Sequence, residues 1–161
     1  MKTLSDLLDI LSQAKIEFVV VGGFAGVLHG SSLVTRDLDL CTVLTPENIE
    51  RLRESLKEFH PKHRMTPEKL SFAKIPPAGQ TLNNLYLETD LGIVDFLTSI
   101  TGVGDFETVR TNAEEIELHG HKIAVISLAD LIKAKEAMNR DKDKLAVKEL
   151  KAIQEKKKSN K

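Results

Sequence analysis

Apolar residues recur at helical spacing over Leu4, Leu7, Leu8, Ile10 and Leu11. Thr3, with Asp6 three residues on, is a variant of the capping box, so a first helix is expected at about 3–15. The next run, Phe18-Val19-Val20-Val21, is bulky, β-branched and stopped by Gly22-Gly23, the pattern of a short buried strand. A short helix follows, ending near Gly30. Residues 37–42 (DLDLCT) alternate strictly and predict the second strand. Thr45-Pro46 then opens a helix with Ile49, Leu52, Leu56 and Phe59 on one face. Between His60 and Asn84 the prolines at 61, 67, 76 and 77 predict loops around one strand at about 70–75. Leu85–Glu88 and Ile93–Leu97, separated by Thr89-Asp90-Leu91-Gly92, predict a β-hairpin. Glu115–Leu118 and Lys122–Ile126 predict a further strand pair around His119-Gly120-His121. Ser127 and Asp130 cap a helix to about Met138, and a last helix runs from about Asp141 into the tail. No repeat or linker divides the pattern. The expectation is one α/β (α+β) domain over 1–150, a central sheet flanked by helices, with a basic helical or disordered tail over 151–161.

Composition adds limits rather than detail. A chain of 161 residues with 41% hydrophobic and 29% charged residues is of ordinary globular type. A single cysteine, Cys41, excludes an internal disulfide framework and a four-cysteine zinc site. The first ten residues carry acids where a signal peptide needs an apolar stretch, and Phe18–Leu28 is too short and glycine-broken to span a bilayer. A cytoplasmic protein without a membrane partner is expected. Net charge is −1, but residues 133–161 hold 11 Lys/Arg against 5 Asp/Glu. An acidic body with a basic C-terminal segment suits metal binding in one part and phosphate binding in the other. Lys156 to Lys161 read more simply as a solvated tail.

The sharpest chemical signal is Gly22-Gly23, a spacer of thirteen residues, then Asp37-Leu38-Asp39. Residues two apart on a strand share a face, so both carboxylates project side by side while Leu38 and Leu40 turn to the core. Such a pair repels itself unless a cation lies between, and Mg²⁺, or Mn²⁺, suits carboxylate oxygens. The strand–Gly-Gly–helix turn leaves backbone N–H groups open to a phosphate. Asp95 is the one charge in Gly92–Leu97, a segment otherwise of buried type, and needs a cation or hydrogen bonds. Three carboxylates on neighbouring strands have the donor count for two metals in phosphoryl displacement. Arg36, beside the acids, reads equally as an ion-pair partner or a phosphate ligand. His29 reads as a helix-end residue, Cys41 as packing, and His119 with His121 as weak zinc ligands.

These features resemble the polymerase-β-type nucleotidyltransferase superfamily, marked by Gly-Gly or Gly-Ser, a spacer, Asp-x-Asp and a distal acid. Gly22-Gly23-Phe-Ala-Gly-Val-Leu-His29-Gly30, Thr35-Arg36-Asp37-Leu-Asp39 and Ile126-Ser-Leu-Ala-Asp130 look closest to small prokaryotic AbiEii-like toxins and related nucleotidyltransferases. The resemblance covers about 5–150 and implies a nucleotidyltransferase fold with a mixed sheet and C-terminal helices. It also implies a metal-dependent transfer of a nucleoside monophosphate from an NTP such as ATP, with Asp37, Asp39 and Asp95 as catalytic and metal residues. Gly22, Gly23, Arg36, Lys135 and Arg140 would bind the nucleotide, Lys135 and the Arg140-Asp-Lys142-Asp143 run matching a family segment. The implied hydroxyl acceptor is a tRNA or other RNA 3′ end, a protein or a small molecule, and an antitoxin is an implied partner. The competing class is a non-catalytic binding module or antitoxin on the same fold, against which the intact acid set argues.

Overall fold

The computed structural model describes residues 4–159. The Thr3 cap and the last two residues of the tail lie outside the described residues. The first half of the chain runs α1 (Leu4–Ser12), β1 (Phe18–Val21), α2 (Gly22–Leu28), β2 (Asp37–Thr42), α3 (Pro46–Leu56), a 3₁₀ turn (Lys57–Phe59) and β3 (Lys62–His63). The second half runs β4 (Asn84–Thr89), β5 (Gly92–Leu97), β6 (Ser99–Ile100), β7 (Gly104–Asp105), α4 (Phe106–Thr111), β8 (Glu114–Leu118), β9 (His121–Val125), α5 (Leu128–Met138) and α6 (Asp141–Ser159). Seven strands form one mixed sheet in the order β3-β4-β5-β2-β1-β9-β8. The β2–β5 and β1–β9 pairs are parallel and the others antiparallel.

Hydrophobic register decides what the two faces of this sheet carry. Leu38 and Leu40 lie opposite Val94 and Phe96, which in turn face Leu87 and Leu85. These six side chains join Leu7, Leu8 and Leu11 of α1 and Ile49, Leu52 and Leu56 of α3 in one buried cluster. Alternation then turns the residues between them to the other face, so that Tyr86, Asp95 and Asp39 form a row across β4, β5 and β2. Helices α2 and α5 pack together over this side, and α6 packs on α5. No helix among the described residues is long and apolar enough to cross a membrane.

Local signals were realised where they were strongest. Thr45 Oγ1 accepts from Asn48 N at 3.2 Å, and Ser127 Oγ from Asp130 N at 3.1 Å. The hairpin closes through Asp90 and Leu91, with Thr89 paired to Gly92. The first helix stops at Ser12, about three residues short of the expected end at 15, and Lys15 adopts φ +61° where the chain turns into β1. Phe59 falls in the 3₁₀ turn, beyond the end of α3.

Two segments differ from the sequence expectation. No strand forms at 70–75; strand pairing there is limited to a single bridge between Ser71 and Lys62. Backbone bonds from His63 N to Leu70 O at 2.8 Å and from Phe72 N to Pro61 O at 2.9 Å accompany that bridge, and side chains pack the rest of the segment. Phe72 is fully buried, His63 meets its ring edge-on at 5.8 Å, and Arg53 lies 5.1 Å from its centroid. Arg53 also donates to Phe72 O at 2.8 Å and to Pro76 O. The second segment is 99–113, to which periodicity assigns no element. It holds the small β6–β7 ribbon and α4, whose N-cap Asp105 accepts from Thr108 N at 3.0 Å.

Phe72→Ala is expected to cost about 3–5 kcal/mol, since it empties a core position and frees the whole 64–83 connection. Urea unfolding followed by circular dichroism checks this.

Candidate active site

The acids reach one place through two different constraints. Asp37 and Asp39 share a face by strand alternation, whereas Asp95 is brought opposite Asp39 by the parallel β2–β5 register. Asp39 lies between the other two. Burial first, then the charges of Asp95 and Asp37, raise its pKa from 3.8 to about 6, against weaker opposing effects of Lys135 and Arg64. The site therefore has an unmet demand for positive charge centred on Asp39.

Gly22 stands directly against this carboxylate. Its φ is +68°, and a Cβ there would come within 2.2 Å of Asp39 Oδ2. Gly23 leaves room for Thr35, whose Oγ1 would lie 2.9 Å from an added Cβ. Thr35 donates in turn to Asp37 O at 3.2 Å. Helix α2 has no side-chain N-cap bond, and its first two residues, Gly22 and Gly23, line the cleft beside the acids.

Lys135 and Arg140 also arrive at the site. Both line the cleft, which has two lobes of about 380 and 490 Å³ sharing Gly22, Asp39, Asp95, Leu131, Lys135 and Arg140. Asp143, 1% exposed, anchors the two cations. It accepts from Arg140 Nε at 2.6 Å and from Arg140 N at 3.2 Å, and lies 3.7 Å from Lys135 Nζ. Hydrogen bonding from Arg140 holds the Asp143 carboxyl below its usual range. The smaller lobe continues past Gly23, Ser31, Thr35 and Lys142; the larger one past Asn84, Tyr86, Ser99, Ile100 and Met138.

Not every sequence candidate joins them. Arg36 is exposed and lines neither lobe. Cys41 is fully buried, and burial pushes its thiol up to about 12. His29 closes α2 by donating from Nε2 to Ile126 O at 2.7 Å. His119 binds Asp9 across 2.9 Å.

Three residues went unread in the sequence. Arg64 pairs through Nε and Nη2 with both oxygens of Asp95, with Nε–Oδ1 at 3.0 Å. Tyr86 sits opposite Asp95 and beneath the Arg64 guanidinium, 5.4 Å from ring centroid to Cζ. Glu149 of α6 accepts from Ser31 Oγ at 2.5 Å and Ser32 Oγ at 2.6 Å, tying down the loop along the smaller lobe. Only Tyr86 had a local signal: it alternates with Leu85 and Leu87 and so shares the open face.

The donor set suits a hard divalent cation at Asp37 and Asp39, two carboxylates side by side on one strand face. Asp95 differs, because Arg64 takes both of its oxygens. Among the described residues no three His, Cys, Asp or Glu side chains form a closed metal-ligand group.

No protein-family model and no curated protein matches the chain. Its architecture is that of the nucleotidyltransferase fold, as in several solved structures. Lincosamide antibiotic adenylyltransferase LnuA, with lincomycin bound, matches at TM-score 0.62 and 17% identity, over 93% of this chain and 95% of that one. A putative nucleotidyltransferase from Thermotoga maritima matches at 0.54 and 20%, over 91% and 88%. An antigenic nucleotidyltransferase-like protein from Paracoccidioides brasiliensis matches at 0.52 and 15%, over 93% and 71%.

Two stability measurements check this geometry. A carboxyl whose folded pKa is raised costs stability when ionised, fully above the folded value and not at all below the unfolded one. With divalent cations removed, Asp39→Asn should therefore be more stable than wild type at about pH 8, by up to about 3 kcal/mol. That gain should vanish as pH falls through about 6 towards 4 in urea titrations. Gly22→Ala should lose more than about 1–2 kcal/mol from the left-handed backbone alone. Gly26→Ala, whose Cβ would meet Ser31 Cβ at 3.6 Å, serves as the tolerated control.

Proposed function

We propose that the protein is a divalent-metal-dependent nucleotidyltransferase that moves a nucleoside monophosphate from an NTP to the hydroxyl of a small molecule. The observation that carries this reading is the row of Asp39 and Asp95 on the wall common to both lobes, one polar and rich in charges of both signs, the other mixed. A phosphate tail and an acceptor placed in separate lobes would meet at those carboxylates. The fold shared with an adenylyltransferase supports the same reading.

Asp37 and Asp39 would hold Mg²⁺ or Mn²⁺. The metal, when bound, supplies charge neutralisation of the triphosphate. The chain contributes position and further charge. The Gly22-Gly23 turn offers backbone N–H groups to the phosphate tail, and Lys135 and Arg140, held by Asp143, oppose the charge that builds on the departing pyrophosphate. Ser31 and Thr35 border the same lobe, in a loop that Glu149 restrains. The acceptor oxygen bonds to the α-phosphorus as the α–β bridging bond breaks; pyrophosphate leaves and the hydroxyl proton passes to solvent. In-line alignment of the two lobes carries most of the acceleration.

The larger lobe favours a small acceptor over RNA. Tyr86, Leu97, Ile100 and Met138 give it apolar walls, Asn84, Ser99 and Thr101 give it polar atoms, and its basic residues are the two it shares with the phosphate lobe. An RNA end would require further cations for its backbone. The AbiEii-like toxin role, with a tRNA acceptor and an antitoxin partner, is the narrower reading that the motifs alone suggest.

Thermal-shift measurements with ATP, GTP, CTP and UTP, each with and without Mg²⁺, should give metal-dependent stabilisation by at least one nucleotide, absent in Asp37→Ala. Asp39→Asn should lower transfer by roughly 100- to 1,000-fold or more while remaining folded. Absence of any nucleotide effect would favour the non-catalytic binding module.

A further inference from the structure

Arg64 meets Asp95 with a prebuilt grip. Its backbone N donates to Tyr86 O at 3.1 Å, extending the β3–β4 pairing by one residue beyond His63. Tyr86 is itself the cross-strand partner of Asp95, so this bond places the Arg64 backbone beside the acid. The guanidinium lies over the Tyr86 ring and meets both carboxylate oxygens. The side chains are 27% and 8% exposed. Planar bidentate pairing of this kind is among the strongest charge-assisted contacts, and removing one partner strands a buried charge.

We propose that Arg64 takes up the carboxylate of Asp95 that a second cation would need, so that the cleft binds a single divalent metal, on Asp37 and Asp39. This rests on the nucleotidyltransferase reading and refines it. The charge pattern agrees. Asp95 has a fixed cation on both oxygens, whereas no side-chain hydrogen bond or ion pair to Asp37 or Asp39 is seen among the described residues. The guanidinium itself lines the smaller lobe and not the larger one, so it acts on the site through the Asp95 carboxylate that it holds. Arg64 is in this sense a positioning residue acting through Asp95.

The test is the number of Mn²⁺ ions bound per chain, counted by electron paramagnetic resonance with Mn²⁺ alone and with Mn²⁺ plus a non-reactive α,β-methylene triphosphate. Wild type should bind one in both conditions. Arg64→Gln should bind two, the second lost when Asp95→Asn is added. Arg64→Lys, which keeps the charge, should return the count to one, a rescue that a purely structural role does not predict. Two ions on wild type, or one on folded Arg64→Gln, would overturn the assignment of Arg64 and leave the enzyme reading standing. No Mn²⁺ on wild type in either condition would overturn both.

Discussion

Three carboxylates on one face of a sheet repel one another, and the register that brings them together is set by the face they do not occupy. Leu38 and Leu40 are buried only when paired with Val94 and Phe96, and that pairing aligns Asp39 with Asp95. A slip of one residue would send the leucines to the cleft and the acids into the core. Hydrophobic burial thus supplies the free energy that holds the acids in place. Each further feature of the site answers the charge that results: Arg64 at Asp95, Lys135 towards Asp39, and a side-chain-free Gly22 against the Asp39 oxygen.

The basic side of the cleft is built with the same economy from the opposite end of the chain. Asp143 lies at the start of α6, just beyond the left-handed Asn139 that ends α5, and is buried there because Arg140 and Lys135 satisfy it. Its burial fixes where those cations point. Further along the same helix, Glu149 restrains Ser31 and Ser32. One helix therefore sets both the cations and the loop of the smaller lobe, and motion of α6 would alter both together.

Stability and the proposed function pull in opposite directions at Asp39. An ionised carboxylate beside two others is a cost in the metal-free fold, tolerated because the surrounding core is large enough to bear it. A bound cation would relieve that cost, and so would couple ligand binding to folding stability. The arrangement differs at Asp95, where the chain carries its own cation.

Much of this was legible in short stretches of sequence. The alternation in DLDLCT, the glycine pair after a β-branched run, and the Thr45 and Ser127 caps act through neighbours within a few residues, so pattern alone determined them. The isolated acid in Gly92–Leu97 likewise announced that a partner was needed. Which partner it meets was a tertiary matter. Arg64 lies 31 positions from Asp95, in a proline-broken connection with no periodicity, and joins it only because β4 pairs with β5. Glu149 reaches Ser31 across 118 positions, and Arg36, adjacent to the acids in sequence, is turned out to solvent. Backbone alternation and capping are local geometry and can be read from the chain; the neutralisation of a buried charge depends on strand order and helix packing, which only the folded molecule decides.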